Sequence, residues 1–476
     1  MTMMAAAEER LELADLGNAE PDADTANAVV KAYARNHAFR AAEWEELTTE
    51  ANPFRRPVRP DDLDWLNYGK PIITEKALRL SGLLGHRMLR NIYDADLTYL
   101  APDANAEAEA DRRNFYTERN RSLGALARPI LERHLFSFLD GERAELPETS
   151  LAGVTRYARE YLDRRTEQPG EGFQAALDTK DRRESATFLL LQLSAFLPAS
   201  YAAVGRNAIG EYSAAHPELA GLLLDEYRGW LDSGTRYRSL LTDAGLRPTA
   251  GAYWQLYLNS SLARGNHAHY LGANHERFFE LLGALVQLKI DERVSAARFA
   301  EVFSGGFGSS ADYFRRPAEL DLEGYLETLL GPFPGIFGGR VLESFHRGFA
   351  DAAWLTDLWH RDLAEQVTWA DRIPEYQEKA EKLDQIITNE NIEVDLDTFV
   401  ETEEETSTTH VHNEHRLVMI EVGQMHFWNN VTHKIQLNQG DKLLIPVSRL
   451  HGSTVLSGSC TYHQPIIPDE MLRQVS

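Results

Sequence analysis

The sequence has a single cysteine, Cys460, in 476 residues. One thiol cannot form an intrachain disulfide, so the sequence excludes a disulfide framework and favours a reducing compartment. Basic residues are also scarce relative to acidic ones, with 49 Lys and Arg against 73 Asp and Glu and a net charge of -24. This balance disfavours partners with a negative surface, such as nucleic acids and anionic membranes.

Long apolar segments are missing as well. No run is long enough to cross a bilayer, and the glutamate-rich residues 1–20 lack the basic and apolar regions of a signal peptide. We therefore expect a cytoplasmic protein that binds neither membrane nor nucleic acid. The length is sufficient for about two or three domains with sizeable cores.

Hydrophobic periodicity predicts that most of the chain is helical. Residues 1–25, rich in Ala, Glu and Asp and without aromatics, are predicted to be disordered. Helical periodicity then extends from residue 26 to about residue 387. The prolines of residues 52–60 interrupt it, and glycines and prolines predict loops at residues 305–308 and 331–335.

The C-terminal part has a different periodicity. The acidic residues 393–405 are predicted to be a solvated linker. After it, short alternating runs predict strands at residues 416–421, 424–428, 433–437, 442–446 and 460–463. The predicted fold class is therefore multidomain α+β, with an all-α bundle followed by a C-terminal β-barrel.

The histidines of this C-terminal part have the spacing of a metal site. His410 and His412 form an H-x-H pair, and strand side chains two apart point to the same face. A third histidine, His451, follows a turn that contains Gly440 and Pro446. Three neutral imidazoles with open positions suit Fe(II), Mn(II), Ni(II) or Zn(II). The combined pattern is that of a cupin, a small double-sheet barrel.

One position departs from the cupin pattern. Cupins often carry a glutamate a few residues after the H-x-H pair as a fourth ligand, and Arg416 stands there instead. Glu414 and His415 are poor substitutes, so we predict a site of three histidines. The alternative is a metal-free barrel that serves for binding or dimerisation, because barrels host many unrelated functions.

Short stretches along the whole chain resemble one family, the N-nitrosourea-forming enzymes of streptozotocin biosynthesis. The matching stretches are residues 52–56, 92–97, 120–124, 131–133, 138–140, 225–227, 253–255, 257–261, 269–272, 274–276 and 278–279, together with the three cupin histidines. The run from residue 254 to residue 285 is the most specific. The resemblance implies a helical dimerisation region at residues 26–140, a haem-oxygenase-like di-iron domain at residues 141–388 and a cupin at residues 389–476.

The resemblance also implies an activity. Members of the family hydroxylate a methylated arginine guanidine at the di-iron centre, and the cupin iron then rearranges the product into an N-nitrosourea. For this chain it implies one Fe(II) in the cupin, O2 as co-substrate, a small nitrogen-rich substrate, and a dimer with a second copy or with a paralogue. Tyr462 matches a tyrosine that the family places near the cupin metal, which predicts a catalytic role. The alternative is a half-buried strand tyrosine.

Most ligands of the family's di-iron site are absent here. Such a site needs several carboxylates and imidazoles from different helices, and only Glu226 and Asp321 match family ligands. The remaining ligand positions hold Ser200, Arg236, Lys289, Pro317 and Gly324. Because a cation repels iron, we predict a degenerate helical domain. In it, Glu226 and Asp321 would form ion pairs or helix contacts, with Arg236 or Lys289 as the cations.

Other polar and aromatic groups have structural interpretations. One predicted helix carries a set of core or capping groups: His267, His269, His275, Glu276 and Glu280. Three N-terminal arginines, Arg55, Arg56 and Arg59, are predicted to form ion pairs, with phosphate binding as the alternative. Phe427 and Trp428 are adjacent in a strand, so one should line the barrel pocket and the other should pack on the helical domain.

Together these patterns predict a mononuclear non-haem iron cupin enzyme of natural-product biosynthesis. Its reaction would be an oxidative rearrangement or N–N bond formation on an N-oxidised guanidine or amine, and a separate protein would supply the hydroxylation. Two alternatives stay open. The chain could be a non-catalytic partner or scaffold of an intact paralogous N-oxygenase, or its helical domain could bind a small ligand without metal.

Overall fold

The computed structural model describes residues 22–39, 52–101, 106–143, 145–146, 148–248, 252–307, 320–403, 406–430 and 434–475. Residues 1–21 of the segment predicted to be disordered (1–25) lie outside these ranges, and so does Pro317. The first described helix begins at Ala23, three residues before the predicted start of the helical part.

Helices make up the described chain as far as residue 389. They are α1 (Ala23–Ala34), α2 (Leu80–Leu97), α3 (Ala106–Phe115), α4 (Glu118–Phe136), α5 (Leu151–Glu167), α6 (Glu171–Asp178), α7 (Arg182–Asn207), α8 (Leu219–Asp243), α9 (Asn259–Ala273), α10 (Phe278–Phe307), α11 (Leu322–Leu330), α12 (Phe333–Phe337), α13 (Arg340–Asp371) and α14 (Ile373–Asn389). Short 3₁₀ turns lie at Pro60–Leu63, Thr74–Lys76, Ser137–Gly141, Trp254–Leu256 and His275–Arg277.

The long helices pack closely because small residues lie where they cross. A Cβ atom on Gly283 of α10 would lie 1.9 Å from the carbonyl oxygen of Phe345 in α13. A Cβ atom on Gly348 would lie 1.9 Å from the carbonyl oxygen of Glu280. The expectation that no segment is long enough to cross a bilayer is corrected by helix α7, which is long and apolar enough to do so. However, 78% of its most apolar segment is buried inside the protein.

Three helix predictions are corrected. α10 continues through Gly305 and Gly306 to Phe307, because its buried face extends to Val302 and Phe303 and outweighs the low helix propensity of glycine. The one helix predicted to carry residues 267 to 280 is split at Asn274, whose backbone is extended. Residues 333–335 of the loop predicted at residues 331–335 belong to the short helix α12.

The chain after residue 397 forms two antiparallel sheets. Its strands are β1 (Thr398–Thr402), β2 (Thr406–His410), β3 (His415–Val422), β4 (Gln424–Trp428), β5 (Lys434–Asn438), β6 (Lys442–Ile445), β7 (His451–Val455), β8 (Ser459–His463) and β9 (Ile466–Ile467), and helix α15 (Asp469–Gln474) follows them. One sheet has the order β1-β8-β3-β6, with β9 beside β3, and the other has the order β2-β7-β4-β5. The predicted fold class, a helical domain followed by a cupin-like barrel, is therefore confirmed.

The predicted acidic linker is wrong in its central part. Residues 398–402 form strand β1, whose partners across the ladder are residues 459–463 of β8. Glu401 lies opposite Cys460, so an acidic residue predicted to be solvated belongs to the wall of the barrel. The paired residues run from Thr402 with Ser459 to Thr398 with His463, far apart in the sequence, so the pairing leaves no local signal.

The barrel packs directly on the helical bundle. Trp428, Val411 and Leu450 of the barrel are buried in the same apolar cluster as Trp359 and other side chains of the bundle. Phe427, the neighbour of Trp428, is 1% exposed and belongs to the barrel's own core. The prediction that one of these two aromatic residues packs on the helical domain is thus confirmed.

Replacing Trp428 with alanine should destabilise the junction between the barrel and the bundle. Trp428 is fully buried, and removing a buried tryptophan costs about 3–5 kcal/mol because a cavity remains. We expect a clear decrease of the unfolding temperature, measured by circular dichroism. Trp65→Ala is the matched control, since Trp65 is 76% exposed and should change stability by less than about 0.5 kcal/mol. Equal effects of the two substitutions would contradict this packing.

Buried histidines in the bundle predict a pH dependence of stability. Burial, and then the neighbouring Arg165, lowers the pKa of His360 to about 3. The unfolded chain binds this proton near pH 6.5 and the folded protein does not, so stability is lost as pH falls from about 6.5 towards 3. His360→Asn should therefore make the decrease of the unfolding temperature between pH 7 and pH 5 less steep. His275→Asn, at an exposed position, should leave the slope unchanged; equal slopes in all three proteins would refute the assignment.

Candidate metal centre

Three histidine rings of the barrel converge at one point. The ring centroids of His410 and His412 are 4.8 Å apart, those of His410 and His451 are 4.6 Å apart, and those of His412 and His451 are 5.0 Å apart. One potential ligand atom of each ring lies within 4.8 Å of the other two. Across the described ranges, this is the one group of three or more His, Cys, Asp or Glu side chains with such spacing.

The hydrogen bonds of the rings leave the correct nitrogens available for a metal. Nδ1 of His410 lies 2.9 Å from the carbonyl oxygen of Thr408, and Nδ1 of His451 lies 3.0 Å from that of Arg449. Each Nδ1 therefore donates, and each Nε2 carries a lone pair. Nε2 of His412 and Nε2 of His451 are buried and have no partner among the described residues. Unpartnered buried lone pairs that face one another fit a divalent metal.

The protonation state also suits metal binding. Burial lowers the pKa of His410 to about 4 and that of His451 to about 3, and the pKa of His412 lies well below its usual value for the same reason. All three imidazoles are neutral at physiological pH, which is the form that coordinates a metal.

The predicted placement of the H-x-H pair on one strand is wrong in detail. Strand β2 ends at His410, and His412 lies in the following loop. The loop is fixed on both sides of His412: the Val411 side chain is buried in the bundle's core, and the His412 carbonyl accepts a hydrogen bond from the Ser448 amide. Ser448 has a φ of 62°, an uncommon value for a serine, in the turn that leads back to His451.

The helical bundle holds the backbone beside two of the three histidines. The buried Arg87 of α2 donates to the Thr409 carbonyl at 2.6 Å and to the Thr409 hydroxyl at 2.8 Å, next to His410. Gln366 of α13 forms two hydrogen bonds with the backbone of Leu450, next to His451, at 2.9 and 2.8 Å. Arg449 donates to the Asp362 carbonyl at 3.1 Å. The bundle therefore positions the ligand set without contributing a ligand.

The three rings form part of the lining of a cavity of about 480 Å³ between the barrel and the helical region. Arg59, Asp62 and Trp65 line it from the helical side. Tyr462 and Phe427 line it from the barrel. One residue of the Phe427–Trp428 pair was expected to line the pocket, and that residue is Phe427. The site is thus open to a small molecule, and one of its walls comes from outside the barrel.

Tyr462 lies in this cavity and is held in a fixed orientation. Its ring stacks on Phe399 of β1, with centroids 5.3 Å apart, and its hydroxyl donates to Oε1 of Glu401 at 2.9 Å. Burial, and then the Glu401 carboxylate, raises the pKa of the Tyr462 hydroxyl. Tyr462 therefore stays protonated at neutral pH, with its proton directed at Glu401. Sequence reasoning missed Glu401, because the local signal is that of an acidic linker.

The position of the usual cupin glutamate offers no fourth ligand. Arg416 forms an ion pair with Asp397 at 2.8 Å and donates to the Gln464 carbonyl at 2.8 Å. Nδ1 of His415 accepts from the Val447 amide at 3.2 Å, and its other nitrogen lies 3.4 Å from Asp469. Within the structure described, the ligand candidates at this site are the three histidines.

In the helical domain, the residues at the positions for which the resemblance implies di-iron ligands have other partners. Glu226 forms an ion pair with Lys289 at 2.7 Å and accepts from the Tyr325 hydroxyl at 2.9 Å. Asp321 caps helix α11, where it accepts from the Gly324 amide at 3.0 Å. The Ser200 hydroxyl donates to the Phe196 carbonyl within α7 at 3.0 Å. The predicted Glu226–Lys289 ion pair is present, whereas Arg236 is exposed.

The remaining polar groups are structural. His267 and His269 belong to α9, His275 and Glu276 to a 3₁₀ turn, and Glu280 to α10, so the prediction of a shared helix is wrong. His267 faces Asp351 at 3.8 Å, and Nδ1 of His269 lies 3.0 Å from the Arg206 guanidinium. Arg55 and Arg56 form the predicted ion pairs, with Asp111 and Asp94, whereas Arg59 is exposed at the cavity.

Comparison with known proteins identifies a relative over nearly the whole length. The chain is 31% identical over 456 residues to nitrosourea synthase of Streptomyces achromogenes subsp. streptozoticus. The match covers 92% of this chain and 94% of that enzyme. No protein-family model matches the chain.

Replacing Arg87 with methionine should weaken metal binding. The substitution keeps much of the side-chain volume but leaves the buried Thr409 and Pro57 carbonyls without their donor, so the backbone before His410 loses its support. We expect the affinity for Zn(II), measured by competition with a chelator, to fall roughly tenfold. Arg228→Met is the control, since the Arg228 side chain is 64% exposed. Unchanged zinc affinity in folded Arg87→Met protein would contradict the positioning role.

Proposed function

The chain belongs to the nitrosourea synthase family, and on this basis we propose that it is a mononuclear non-haem iron enzyme of natural-product biosynthesis. Its cupin would carry out an O2-dependent oxidative rearrangement or N–N bond formation on an N-hydroxylated guanidine. The observation that supports this most directly is the set of converging neutral imidazoles, two of which have a buried Nε2 without a partner among the described residues.

The proposed roles follow from the contacts of each residue. His410, His412 and His451 would hold one Fe(II) per chain. When bound, iron supplies a Lewis acid and a site for O2. The cavity of about 480 Å³ admits a small substrate and restricts its orientations, and the neutral imidazoles leave the charge of the site to the metal and the surrounding side chains. Tyr462, fixed by Phe399 and Glu401, would orient the substrate beside the ligand set.

The helical domain, we propose, does not perform the N-hydroxylation. Lys289 forms an ion pair with Glu226, the residue of α8 that matches a carboxylate ligand of the family. Asp321, the other match, caps helix α11. A separate enzyme would then supply the N-hydroxylated substrate. The same contacts favour the second candidate function, a non-catalytic partner or scaffold of an intact paralogous N-oxygenase.

Three further expectations stay predictions. They are the domain boundaries after residues 25, 140 and 388, a cytoplasmic location, and a homodimer or a heterodimer with a paralogue through residues 26–140. Light scattering of the purified chain at micromolar concentration tests self-association.

Metal analysis distinguishes the two candidate functions. The wild-type protein should contain one iron per chain, and the His410→Ala, His412→Ala double variant should contain none, because a single imidazole cannot retain the metal. Glu226→Gln should keep one iron and lose stability of the order of 1 kcal/mol, since its ion pair is only partly buried. Turnover of an N-hydroxylated guanidine should follow the iron content. Two irons per chain, or loss of iron in Glu226→Gln, would overturn the assignment of the metal to the cupin. An iron-loaded protein without turnover would favour the scaffold function.

A further inference from the structure

We propose that the helical bundle binds a phosphate group, free or carried by a small molecule, in a basic cavity at the start of helix α6. This cavity and the one that contains the histidine triad have no lining residue in common. The inference therefore does not depend on the function proposed for the barrel. It gives the bundle a binding role that needs no metal.

The cavity is large and its lining is basic. It has a volume of about 760 Å³ and lies between helices α5, α6, α10 and α13. Small-molecule sites typically measure about 300–1,000 Å³. Four arginines line it against two carboxylates, Glu171 and Asp357. The whole chain has 49 basic against 73 acidic residues, so this local excess of positive charge is opposite to the composition and favours an anionic ligand.

Two of the four arginines have charges that no described carboxylate neutralises. Arg165 and Arg298 are each paired with a carboxylate oxygen within 3.2 Å. Arg164 and Arg361, in contrast, form no ion pair or hydrogen bond with another described residue, and both are exposed at the cavity. A guanidinium can donate two parallel hydrogen bonds to a phosphate. These two side chains therefore offer the cavity both charge and donors.

The start of helix α6 adds backbone donors to the same cavity. The helix begins at Glu171, and its N-cap is Gly170, which has no side chain to accept from the first amides. Gly170, Glu171 and Phe173 all line the cavity. The first amides of a helix have no acceptor within the helix, and the helix dipole favours negative charge there. An uncapped helix start beside two unpaired guanidinium groups is a suitable site for a phosphate.

The buried His360 points to a ligand independently of the helix start. It lines the cavity, its side chain is 2% exposed, and both ring nitrogens lack a hydrogen-bond partner among the described residues. The rings of Phe173 and Trp359, each with its centroid 4.8 Å away, hold it in place. A Cβ atom on Gly170, where φ is 113°, would lie 2.5 Å from Nδ1 of His360, so only glycine lets the helix start approach the imidazole. An imidazole always has an N–H to donate, and a buried donor without a protein acceptor fits a ligand oxygen.

The set of donors favours phosphate over a carboxylate. Guanidinium groups, backbone amides and an imidazole N–H surround one part of the cavity. A carboxylate offers two oxygens and one negative charge. A phosphate ester offers three terminal oxygens and a charge of about -1.5 to -2 at neutral pH. Phosphate therefore matches both the number of donors and the two unpaired positive charges.

Isothermal titration calorimetry of the full-length protein with inorganic phosphate tests the proposal. Buffers are matched in ionic strength with chloride, because salt screens exposed charges. The wild-type protein should bind phosphate at least about tenfold more tightly than acetate. The double variant Arg164→Gln, Arg361→Gln should weaken phosphate binding at least about tenfold. Arg347→Gln is the matched control, since Arg347 lies on α13 outside the cavity and is 46% exposed; it should bind as the wild type.

Two further variants distinguish this site from a general attraction of anions. His360→Phe keeps an aromatic ring between Phe173 and Trp359 but removes the N–H, so it should weaken phosphate binding about tenfold. Glu171→Gln, at an exposed position, removes the carboxylate that opposes the anion and should strengthen binding about twofold to threefold. Circular dichroism checks that each variant is folded, and Glu171→Gln is the deciding variant if the others are not.

The outcomes separate this site from the barrel. The His410→Ala, His412→Ala double variant should bind phosphate as the wild type; loss of binding there would assign the phosphate to the histidine cavity and overturn the proposal. Absence of phosphate binding, a preference for acetate, or undiminished affinity in the folded double arginine variant or in folded His360→Phe would also overturn it, and so would unchanged affinity in Glu171→Gln. Adenosine 5′-monophosphate distinguishes the two forms of the ligand. Tighter binding than that of inorganic phosphate supports a phosphate ester, and weaker binding supports the free anion.

Discussion

The geometry of the candidate site depends on hydrogen bonds that cross from the helical bundle to the backbone of the barrel. Arg87 holds Thr409, the residue before His410, and Gln366 holds Leu450, the residue before His451. These bonds are buried, and a buried donor or acceptor that loses its partner is costly. Two of three ligands therefore have a fixed position only when the barrel is docked on the bundle. The geometry of the histidine site in the barrel therefore depends on contacts with the bundle.

This dependence gives the helical domain a role that needs no metal of its own. The positions for which the resemblance implies di-iron ligands hold an ion pair between Glu226 and Lys289, a helix cap at Asp321 and a serine bonded to its own helix. A helical domain without iron would still hold the site, because Gln366 of its helix α13 hydrogen-bonds to the backbone next to His451. Loss of N-hydroxylation by the helical domain is therefore compatible with retention of that domain in the chain.

The sequence predicts those parts of the fold that have a local or motif-level signal. The bundle followed the helical periodicity, strand β4 was predicted with its observed bounds, and the spacing of His410, His412 and His451 indicated their convergence. Prediction from the sequence failed where tertiary contacts decide the structure. The acidic run around Glu401 becomes a strand only because β8 pairs with it, and His412 reaches the triad from a loop held by Ser448. No pattern within the acidic run predicts that Glu401 is part of the site.

The interior of the bundle explains how its rigidity can be transmitted to the site. Arg264 lies 3.8 Å from the centre of the Phe196 ring and shares Asp291 with Arg165, at 3.0 and 3.2 Å. Arg56 lies 3.6 Å from the centre of the Trp254 ring and pairs with Asp94. Removing one partner of such a buried pair costs about 3–5 kcal/mol, because the other charge stays uncompensated. Packings of the helical region that separate these partners are therefore penalised. Since α2 and α13 carry the side chains that hold Thr409 and Leu450, the same penalty opposes displacement of the backbone beside two of the three histidines.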